Sequence, residues 1–161
     1  MAIEAPVSKF TKTNLKIYIA VCVAAAAIFA YDGYLSKYEW SGRYSFYKEH
    51  VLDNDGVPTQ TMNFNTKSPP FFIGAAVLFA VYLFVIKNNK LIADENELVF
   101  SDKDKLPYDS IEAINKTYFE KKGFFIITYK NGNGKQVDRK ITERKYDNLP
   151  AVLDYLVTKI I

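Results

Sequence analysis

Apolar and polar stretches alternate along this chain of 161 residues, and two of the stretches are almost purely apolar. They cover residues 15–31 and 70–86, and residues 71–86 carry no charge. A helix that crosses the hydrocarbon core of a bilayer needs about 20 mainly apolar residues, and about 17 at the least. The pattern therefore predicts membrane-spanning helices over residues 15–34 and 69–87. Ser68 would cap the second helix, and Pro69 and Pro70 would fit its first turn.

Each apolar stretch has one competing interpretation. The second would be the buried helix of a soluble protein, but no other part of the chain is large enough to wrap it on all sides. The first would be a cleaved signal peptide, since lysines precede it and small residues follow. We interpret it as a retained helix, because the helical pattern continues through Tyr31, Tyr34 and Tyr38 without a clear cleavage site. Cys22, the only cysteine, is interpreted as a small packing residue within it.

Small residues recur at four-residue spacing in both predicted helices. Such spacing lets helix backbones approach closely in lipid. It predicts either an antiparallel hairpin or packing against the helices of another protein. The residues concerned are Ala20, Ala24, Ala26, Ala30, Gly74, Ala76 and Ala80.

Basic residues are concentrated before the first predicted helix and after the second. Lysines outnumber acids in and beside the N-terminal tail, residues 1–14, and Lys87 and Lys90 follow the second helix. Between the helices, basic residues are spread out among acidic ones. Because cytoplasmic flanks are enriched in Lys and Arg, the pattern predicts a multi-pass protein of the cytoplasmic (inner) membrane with both termini in the cytoplasm.

Residues 35–68 form an aromatic-rich outer segment. Up to about residue 52 the pattern is helical, residues 53–58 have turn composition, and residues 59–67 are predicted to be extended or irregular. The only histidine, His50, lacks partners at metal-binding spacing and is interpreted as a surface residue. The aromatic residues indicate either the lipid–water boundary or a protein-contact surface, and the candidates are Tyr34, Tyr38, Trp40, Tyr44 and Tyr47.

After the second apolar stretch the pattern changes to short β segments separated by turn residues. The tetrapeptides EKKG and NGNG predict hairpin turns in which Gly123, Gly132 and Gly134 adopt positive φ. The C-terminal stretch returns to a helical period, and Asp147 or Asn148 can cap it. One face of that helix is apolar, formed by Leu149, Val152, Leu153, Leu156 and Ile160. The pattern predicts a twisted antiparallel sheet closed by one amphipathic helix.

A meander of about six or seven strands closed by one C-terminal helix resembles the pleckstrin-homology-like (PH-like) fold. Residues 88–161 are similar to the small PH-like domains of bacterial membrane proteins in the strand pair LIADENELVFS, the element LPYDSIEAI, the Lys-Lys-Gly hairpin and the helix after RKYDNL. The resemblance implies a fold class of membrane α-helical hairpin plus α+β domain. It also implies binding of lipid head groups, peptides or partner proteins. The acidic loop DENE departs from the basic loop with which eukaryotic members bind phosphoinositides.

Six basic residues of the C-terminal part form a candidate contact surface for lipid or a partner: Lys121, Lys122, Arg139, Lys140, Arg144 and Lys145. The functional interpretation is attraction to anionic lipid, about 1 kcal/mol for each basic residue near the surface. The alternative is a solvated face, because Glu120, Asp138 and Glu143 are interleaved with these residues. We favour the solvated face.

No catalytic motif is present in the sequence, which has no Ser-His-Asp set, Cys-His pair or phosphate-binding loop. The two apolar stretches carry no Asp, Glu or His, so no ion path is predicted. The formal net charge of +3 and the lack of an unbroken basic run argue against nucleic-acid binding. We therefore expect a non-enzyme without a cofactor: a membrane-anchored scaffold or accessory subunit whose partners are membrane lipids and other membrane protein subunits or a second copy. The alternative is an anionic-lipid sensor that uses the six basic residues.

Overall fold

A computed structural model describes residues 2–160, which form two compact units. One unit, which we call the β unit, joins residues 2–13 to residues 85–160. The other, the hairpin unit, contains residues 14–84. The β unit is therefore discontinuous in sequence, because the hairpin unit is inserted after its first strand.

Helices make up the hairpin unit. The helix α1 (Lys9–Ala30) continues directly into a π-helical turn, Tyr31–Leu35. Then follow α2 (Tyr44–His50), a 3-10 turn (Leu52–Asn54), α3 (Gln60–Lys67) and α4 (Pro69–Ile86). Ser8 caps α1, since its hydroxyl accepts the Thr11 N–H at 3.1 Å.

The helix α3 replaces the extended or irregular chain predicted for residues 59–67, and that prediction was wrong. The composition is polar and favours a loop. However, Thr59 supplies an N-cap, because its Oγ1 accepts the Met62 N–H at 3.4 Å. Met62 and Asn65, three positions apart, bury one face of the helix, and α3 packs on the π-helical turn. Tertiary packing thus stabilises a helix that the composition does not predict.

The prediction of two helices of membrane-spanning length is confirmed. The helical runs Lys9–Leu35 and Gln60–Ile86 are each long and apolar enough to cross a bilayer. In the most apolar part of each run only 11% of the residues are buried, unlike the core helix of a soluble protein. The helix α4 begins at Pro69, so both prolines lie in its first turn as predicted. Ser68 does not cap it, because the Ser68 hydroxyl has no hydrogen-bond partner within residues 2–160 and its φ of −77° and ψ of −30° are helical.

The helices α1 and α4 run antiparallel. Tyr18 contacts Phe79 with ring centroids 5.6 Å apart, and Phe29 stacks on Phe72 at 5.4 Å. Early residues of one helix therefore meet late residues of the other. Ala26 and Ala76, which lie between these contacts in sequence, are buried.

The small residues predicted to pack the helices do not all face this contact. Ala76 is buried, whereas Ala20, Ala24, Gly74 and Ala80 are exposed. Most of the buried and half-buried positions recur every three or four residues, which is typical of helices packed at a shallow angle. They are Leu15, Ile19, Cys22, Ala25, Ala26, Phe29 and Ala30 on α1, and Phe72, Ala75, Ala76, Phe79, Leu83 and Ile86 on α4. Large side chains, together with Ala26 and Ala76, therefore form the contact face between α1 and α4. The four exposed residues stay a prediction for packing against another protein.

The β unit contains two antiparallel sheets and a helix. The four-stranded sheet has the order β1 (Ile3–Pro6), β2 (Lys90–Ala93), β3 (Glu97–Ser101) and β4 (Asp104–Pro107). The three-stranded sheet has the order β5 (Ile111–Asn115), β6 (Phe124–Lys130) and β7 (Gln136–Thr142). The helix α6 (Leu149–Ile160) ends the described chain. The single sheet that the sequence predicts is therefore two sheets, since the 3-10 turn Tyr108–Ser110 separates β4 from β5.

Both sheets and α6 bury their apolar residues in one core. The predicted face of α6 is confirmed: Leu149, Val152 and Leu156 are fully buried, Leu153 is 4% exposed and Ile160 packs at the edge. The sheets contribute Ala5, Leu91, Ala93, Leu98, Phe100, Leu106, Ile111, Phe125, Ile127 and Ile141.

The strand β1 comes from the segment predicted to be a cytoplasmic tail. Ile3 lies opposite Ala93 and Pro6 lies opposite Lys90, so the tail forms an edge strand of the larger sheet. Ala5 contributes to the core and is fully buried. A four-residue strand that ends at a proline is too short to show a period, and its partner strand follows only after the hairpin unit.

The two predicted glycine turns are confirmed in part. Gly123 and Gly134 have φ of 63° and 72°, but Gly132 does not have positive φ as predicted. The EKKG stretch is not a tight hairpin. It forms most of a short helix, α5 (Phe119–Lys122), which Gly123 ends in the left-handed conformation.

Candidate functional site

The first turn of α1 is hydrogen-bonded to the turn that follows β7. Ser8 Oγ and Thr11 Oγ1 both donate to the carbonyl oxygen of Arg144, the second at 2.6 Å. The Ser8 N–H donates to the Lys145 carbonyl at 2.9 Å. Ser8 is fully buried. These contacts, which we call the junction, join the start of a candidate membrane span to the β unit.

Both residues predicted to cap α6 bind the N-terminal segment. Asp147 Oδ2 accepts the Lys9 N–H at 3.0 Å, at the N-terminus of α1, where a negative charge is favourable. Asn148 Nδ2 donates to the Glu4 carbonyl at 3.1 Å. The Asp147 N–H also donates to the Pro6 carbonyl at 2.9 Å. The turn before α6 is therefore part of the junction.

The six basic residues predicted as one contact surface lie in three places. Arg144 and Lys145 belong to the junction, where their carbonyl groups are the acceptors. Arg139 and Lys140 are neighbours on β7 and point to opposite faces, because side chains alternate along a strand. That alternation can be read from the sequence QVDRKIT, and grouping the residues by sequence alone overlooked it.

Arg139 is held by an ion pair between the two sheets. Its Nη1 and Nη2 lie 2.8 Å and 2.6 Å from the two carboxylate oxygens of Asp104 on β4. Its guanidinium carbon lies 3.4 Å from the centre of the Phe100 ring. The hydrogen bond with Arg139 lowers the pKa of Asp104, and the same bond raises the pKa of Arg139. A paired and stacked arginine of this kind stabilises the fold and is not available to a ligand.

Asp104→Asn is expected to lower the free energy of unfolding by about 1 kcal/mol at neutral pH, the upper end for partly exposed pairs. Because folding lowers the pKa of Asp104, the pair contributes fully above the unfolded pKa of about 3.9 and is lost as the pH falls through the native value. The difference from the parent chain should therefore shrink below about pH 4.

Denaturant unfolding of the full chain in detergent at several pH values tests this expectation. Asp154→Asn, on the exposed side of α6, is the matched control and should leave the stability unchanged at each pH. A deficit of Asp104→Asn that stays constant into acid would contradict a role for the ionised pair.

Two of the basic residues contact aromatic rings, and a third, Lys121, is the neighbour of Lys122 on α5. Tyr118 stacks on Phe124 with ring centroids 5.4 Å apart. Lys122 Nζ lies 5.0 Å from the centre of the Tyr118 ring, and Lys140 Nζ lies 3.7 Å from that of Phe124. Together with Lys121 these residues form what we call the basic-aromatic patch. Sequence analysis missed its rings, although both lie within four residues of the Lys-Lys pair.

Buried polar residues of the hairpin unit gather where α1 ends. Among residues 2–160, five of the six buried polar or charged residues lie there, and we call them the polar cluster: Asp32, Ser36, Ser41, Asn65 and Ser68. Asp32 lies inside the run Lys9–Leu35 and inside the helix predicted for residues 15–34, so this candidate span carries an acid. It lies just outside the apolar stretch of residues 15–31, in the π-helical turn that follows α1. A charged residue in a spanning helix marks a candidate functional position.

Asp32 is paired within the hairpin unit. Its carboxylate oxygens lie 2.8 Å and 3.0 Å from Nε and Nη2 of Arg43. Ser36 Oγ donates to the Asp32 carbonyl, and Ser41 Oγ donates to the Tyr31 hydroxyl at 3.2 Å. These bonds hold the segment after α1 against its last turn. The buried Ser68 hydroxyl has no hydrogen-bond partner within the described chain and can bind an added polar group.

Two prolines explain why the π-helical turn packs on α3. Pro69 and Pro70 have no N–H, so the carbonyls of Asn65 and Thr66 receive no bond from the next helical turn. The Tyr34 hydroxyl donates to the Thr66 carbonyl at 2.5 Å. Gly33 lies so close to Asn65 that a Cβ on it would be 2.6 Å from the Asn65 oxygen. Tyr34 and Gly33 thus lie against the two carbonyl groups of α3 that the prolines leave without a helical hydrogen bond.

The aromatic residues predicted as a contact surface lie in separate pairs. Tyr38 stacks on Trp40 at 5.6 Å, and Trp40 is 71% exposed. Tyr44 stacks on Tyr47 at 6.4 Å, and Tyr34 is bonded to α3 as described. The stacked pairs leave their outer faces available to lipid or protein.

His50 is a packing residue of the segment after α1. Its ring lies 4.3 Å from that of Phe46, and its Nδ1 lies 3.2 Å from Thr59 Oγ1. In the part of the chain that the structure describes, no three His, Cys, Asp or Glu side chains are placed to hold a metal ion.

Comparisons with protein-family models, with curated proteins and with solved structures found no match. Function is therefore inferred from the contacts of this chain alone.

Proposed function

We propose that this chain is a non-catalytic, membrane-anchored scaffold or accessory subunit of a larger membrane protein assembly, with a PH-like β unit at the cytoplasmic face. The observation that carries the proposal is the junction, in which Ser8, Lys9 and Thr11 bind the first turn of a candidate span to the β unit. The first turn of the candidate span is thus part of the β unit. The β unit would therefore stay beside the membrane, where it can contact neighbouring subunits.

The arrangement of strands supports the PH-like fold. Residues 88–160 supply six antiparallel strands in two sheets followed by one C-terminal helix, an arrangement compatible with the resemblance described for residues 88–161, and β1 adds a seventh strand. In this chain such a domain is split, because β1 precedes the hairpin unit and the remaining strands follow it. The strand β1, which completes the larger sheet, thus lies outside residues 88–161, to which the resemblance applies.

The short segments that join the hairpin unit to the larger sheet support two crossings of the membrane. Two residues, Val7 and Ser8, separate β1 from α1, and residues 87–89 separate α4 from β2. Because both ends of the hairpin unit are joined to one folded sheet, both ends lie on one side of the membrane. The lysines near these ends favour the cytoplasm for that side.

Cysteine labelling tests this topology. In a Cys22→Ala background, Glu49→Cys should react with an impermeant thiol reagent on intact cells, and Asn133→Cys should react only after lysis. Both positions are exposed, so access depends on the membrane alone. Reaction of Asn133→Cys on intact cells would contradict the proposed orientation.

Co-purification tests the scaffold itself. The full chain, tagged and extracted from its own membranes in mild detergent, is expected to migrate in a complex larger than the chain with its micelle. The same membrane proteins should accompany it in a second detergent. Migration as the chain alone in both detergents would contradict an accessory subunit.

A second candidate function, sensing of anionic lipid, is favoured by the basic-aromatic patch. A sensor would change its behaviour with membrane composition and would need no protein partner. Co-purification separates the two functions, because only the scaffold requires a complex.

A further inference from the structure

Three lysines of the basic-aromatic patch have no acidic partner. Lys121, Lys122 and Lys140 form no ion pair with a carboxylate of residues 2–160. Other basic residues of the β unit are paired: Lys90 with Glu4, Lys105 with Glu97, Lys130 with Glu112 and Arg139 with Asp104. The acidic residues that lie near the three lysines in the sequence therefore do not neutralise the charge of these lysines through ion pairs.

Two aromatic rings lie among these lysines. Tyr118 is 42% exposed, and its stacking partner Phe124 is half-buried on the outer face of β6. Tyrosine favours the head-group region of a bilayer, because its ring is apolar and its hydroxyl is polar. The patch thus combines the two side-chain types that favour an anionic membrane surface.

The patch lies at the end of the β unit where α1 begins. Phe124 is opposite Thr142, and the Glu143 N–H donates to the Gly123 carbonyl at 2.8 Å. The next residue, Arg144, accepts the bonds from Ser8 and Thr11. The residue bonded beside the patch, Glu143, and the residue bonded to the candidate span, Arg144, are therefore adjacent in the chain.

The acidic loop of residues 94–97 lies at the opposite end of the larger sheet. The ladder between β1 and β2 runs from Pro6 and Lys90, the strand ends that lead to α1 and from α4, to Ile3 and Ala93, and Ala93 directly precedes that loop. Lysines at one end and acids at the other orient the β unit in the field of an anionic surface.

We propose that the basic-aromatic patch docks on the anionic lipid head groups of the leaflet from which α1 and α4 emerge. This inference rests on the proposed function in one respect, that α1 and α4 span a membrane beside the β unit. The tether holds the patch near that leaflet at high effective concentration, so weak contacts suffice. Docking would hold the β unit against the membrane surface.

The experiment uses the full chain reconstituted in nanodiscs, with Cys22→Ala and one fluorescent label. A label at Thr117→Cys reports on the patch, and a label at Asn133→Cys reports on the opposite end of β6. Quenching by nitroxide head-group lipid is measured in phosphatidylcholine alone and with phosphatidylglycerol added. Salt is then raised from about 0.1 M to about 1 M, which shortens the Debye length from about 10 Å to about 3 Å.

We expect phosphatidylglycerol to increase quenching at residue 117 and not at residue 133, and salt to reverse the increase. Lys122→Gln with Lys140→Gln should lower the ratio of docked to undocked β unit about 30-fold, equivalent to about 1 kcal/mol for each lysine. Lys135→Gln with Lys159→Gln removes the same charge away from the patch and should leave the ratio near that of the parent.

Equal quenching with and without phosphatidylglycerol would overturn the proposal. An unchanged ratio in Lys122→Gln with Lys140→Gln would also overturn it, and so would an equal loss in the Lys135→Gln control pair. No partner protein is present in the nanodiscs, so failure of the scaffold proposal in co-purification leaves this result unaffected. A patch that binds an acidic protein and not lipid would give equal quenching with and without phosphatidylglycerol, because the nanodiscs hold no such partner.

Discussion

A variant that joins residues 2–7 to residues 89–160 through an Asn-Gly turn is expected to be a soluble, folded monomer. The Val7 N–H already donates to the Asn89 carbonyl at 3.0 Å, and Pro6 lies opposite Lys90, so a two-residue turn can close this pair of strands. The variant keeps β1, both sheets and α6 and removes both candidate spans. Its thermal transition, followed by circular dichroism, should be cooperative.

The fragment of residues 89–160 alone is expected to lose about 3–5 kcal/mol of that stability, a large part of the 5–15 kcal/mol that is usual for a domain. Without β1, the N–H and C=O groups of β2 are exposed along one edge. Leu91 and Ala93, which are fully buried in the same core as Ala5, also lose the cover that β1 provides. The fragment should therefore melt at a much lower temperature or aggregate.

Two substitutions in the joined variant test whether β1 stabilises the fold through the packing of its buried side chain and not merely by making the chain longer. Ala5→Asp places a charge in the core and should prevent folding, whereas Glu4→Ala, on the exposed side of the same strand, should cost less than about 1 kcal/mol. If the fragment of residues 89–160 melted at the same temperature as the joined variant, β1 would not be part of the fold.

Gly33→Ala is expected to destabilise the hairpin unit by about 3 kcal/mol, at the high end for an overpacked site. The added Cβ would lie 2.6 Å from the Asn65 oxygen, 2.7 Å from the Asn65 carbonyl carbon and 2.8 Å from the Thr66 nitrogen. All three are backbone atoms of α3, so no side chain can turn away. The helices must separate, and the Tyr34 bond to Thr66 is then lost.

Crosslinking of Tyr18→Cys to Phe79→Cys with a flexible bifunctional thiol reagent, in a Cys22→Ala background, reports whether α1 and α4 remain packed in detergent, since the two native rings lie 5.6 Å apart. Gly74→Ala is the matched control, because a Cβ there meets nothing within 4 Å. Crosslinking and thermal stability should fall with Gly33→Ala and stay unchanged with Gly74→Ala. Equal behaviour of the two variants would contradict the close approach of the π-helical turn to α3.

Local patterns were sufficient for several elements. The apolar stretches predict two helices of spanning length, because hydropathy depends on composition over a window and not on partners. The buried face of α6 follows from the spacing of Leu149, Val152, Leu153 and Leu156. Gly123 and Gly134 were predicted because a left-handed backbone favours glycine wherever it occurs.

Sequence spacing alone could not predict which of the six basic residues share a surface. Arg139 finds Asp104 in the other sheet, whereas Lys140, its neighbour, meets Phe124 on the outer face. Alternation along the strand places the side chains of Arg139 and Lys140 on opposite faces of β7. Only the packing of the two sheets reveals which of these side chains has an acidic partner. The rings of Tyr118 and Phe124 join the patch in the same way, because Gly123 reverses the chain between them.

The sequence by itself determined the elements that depend on near neighbours: two apolar helices of spanning length, a run of short β segments and an amphipathic C-terminal helix. Tertiary structure decided the pairings between distant residues. The tail became β1 because its backbone groups and Ala5 gain partners on β2, and the polar residues 60–67 became α3 because the π-helical turn covers one face. Both gains come from contacts with segments far away in the chain, and a local pattern of residue types carries no information about which distant segment will be the partner.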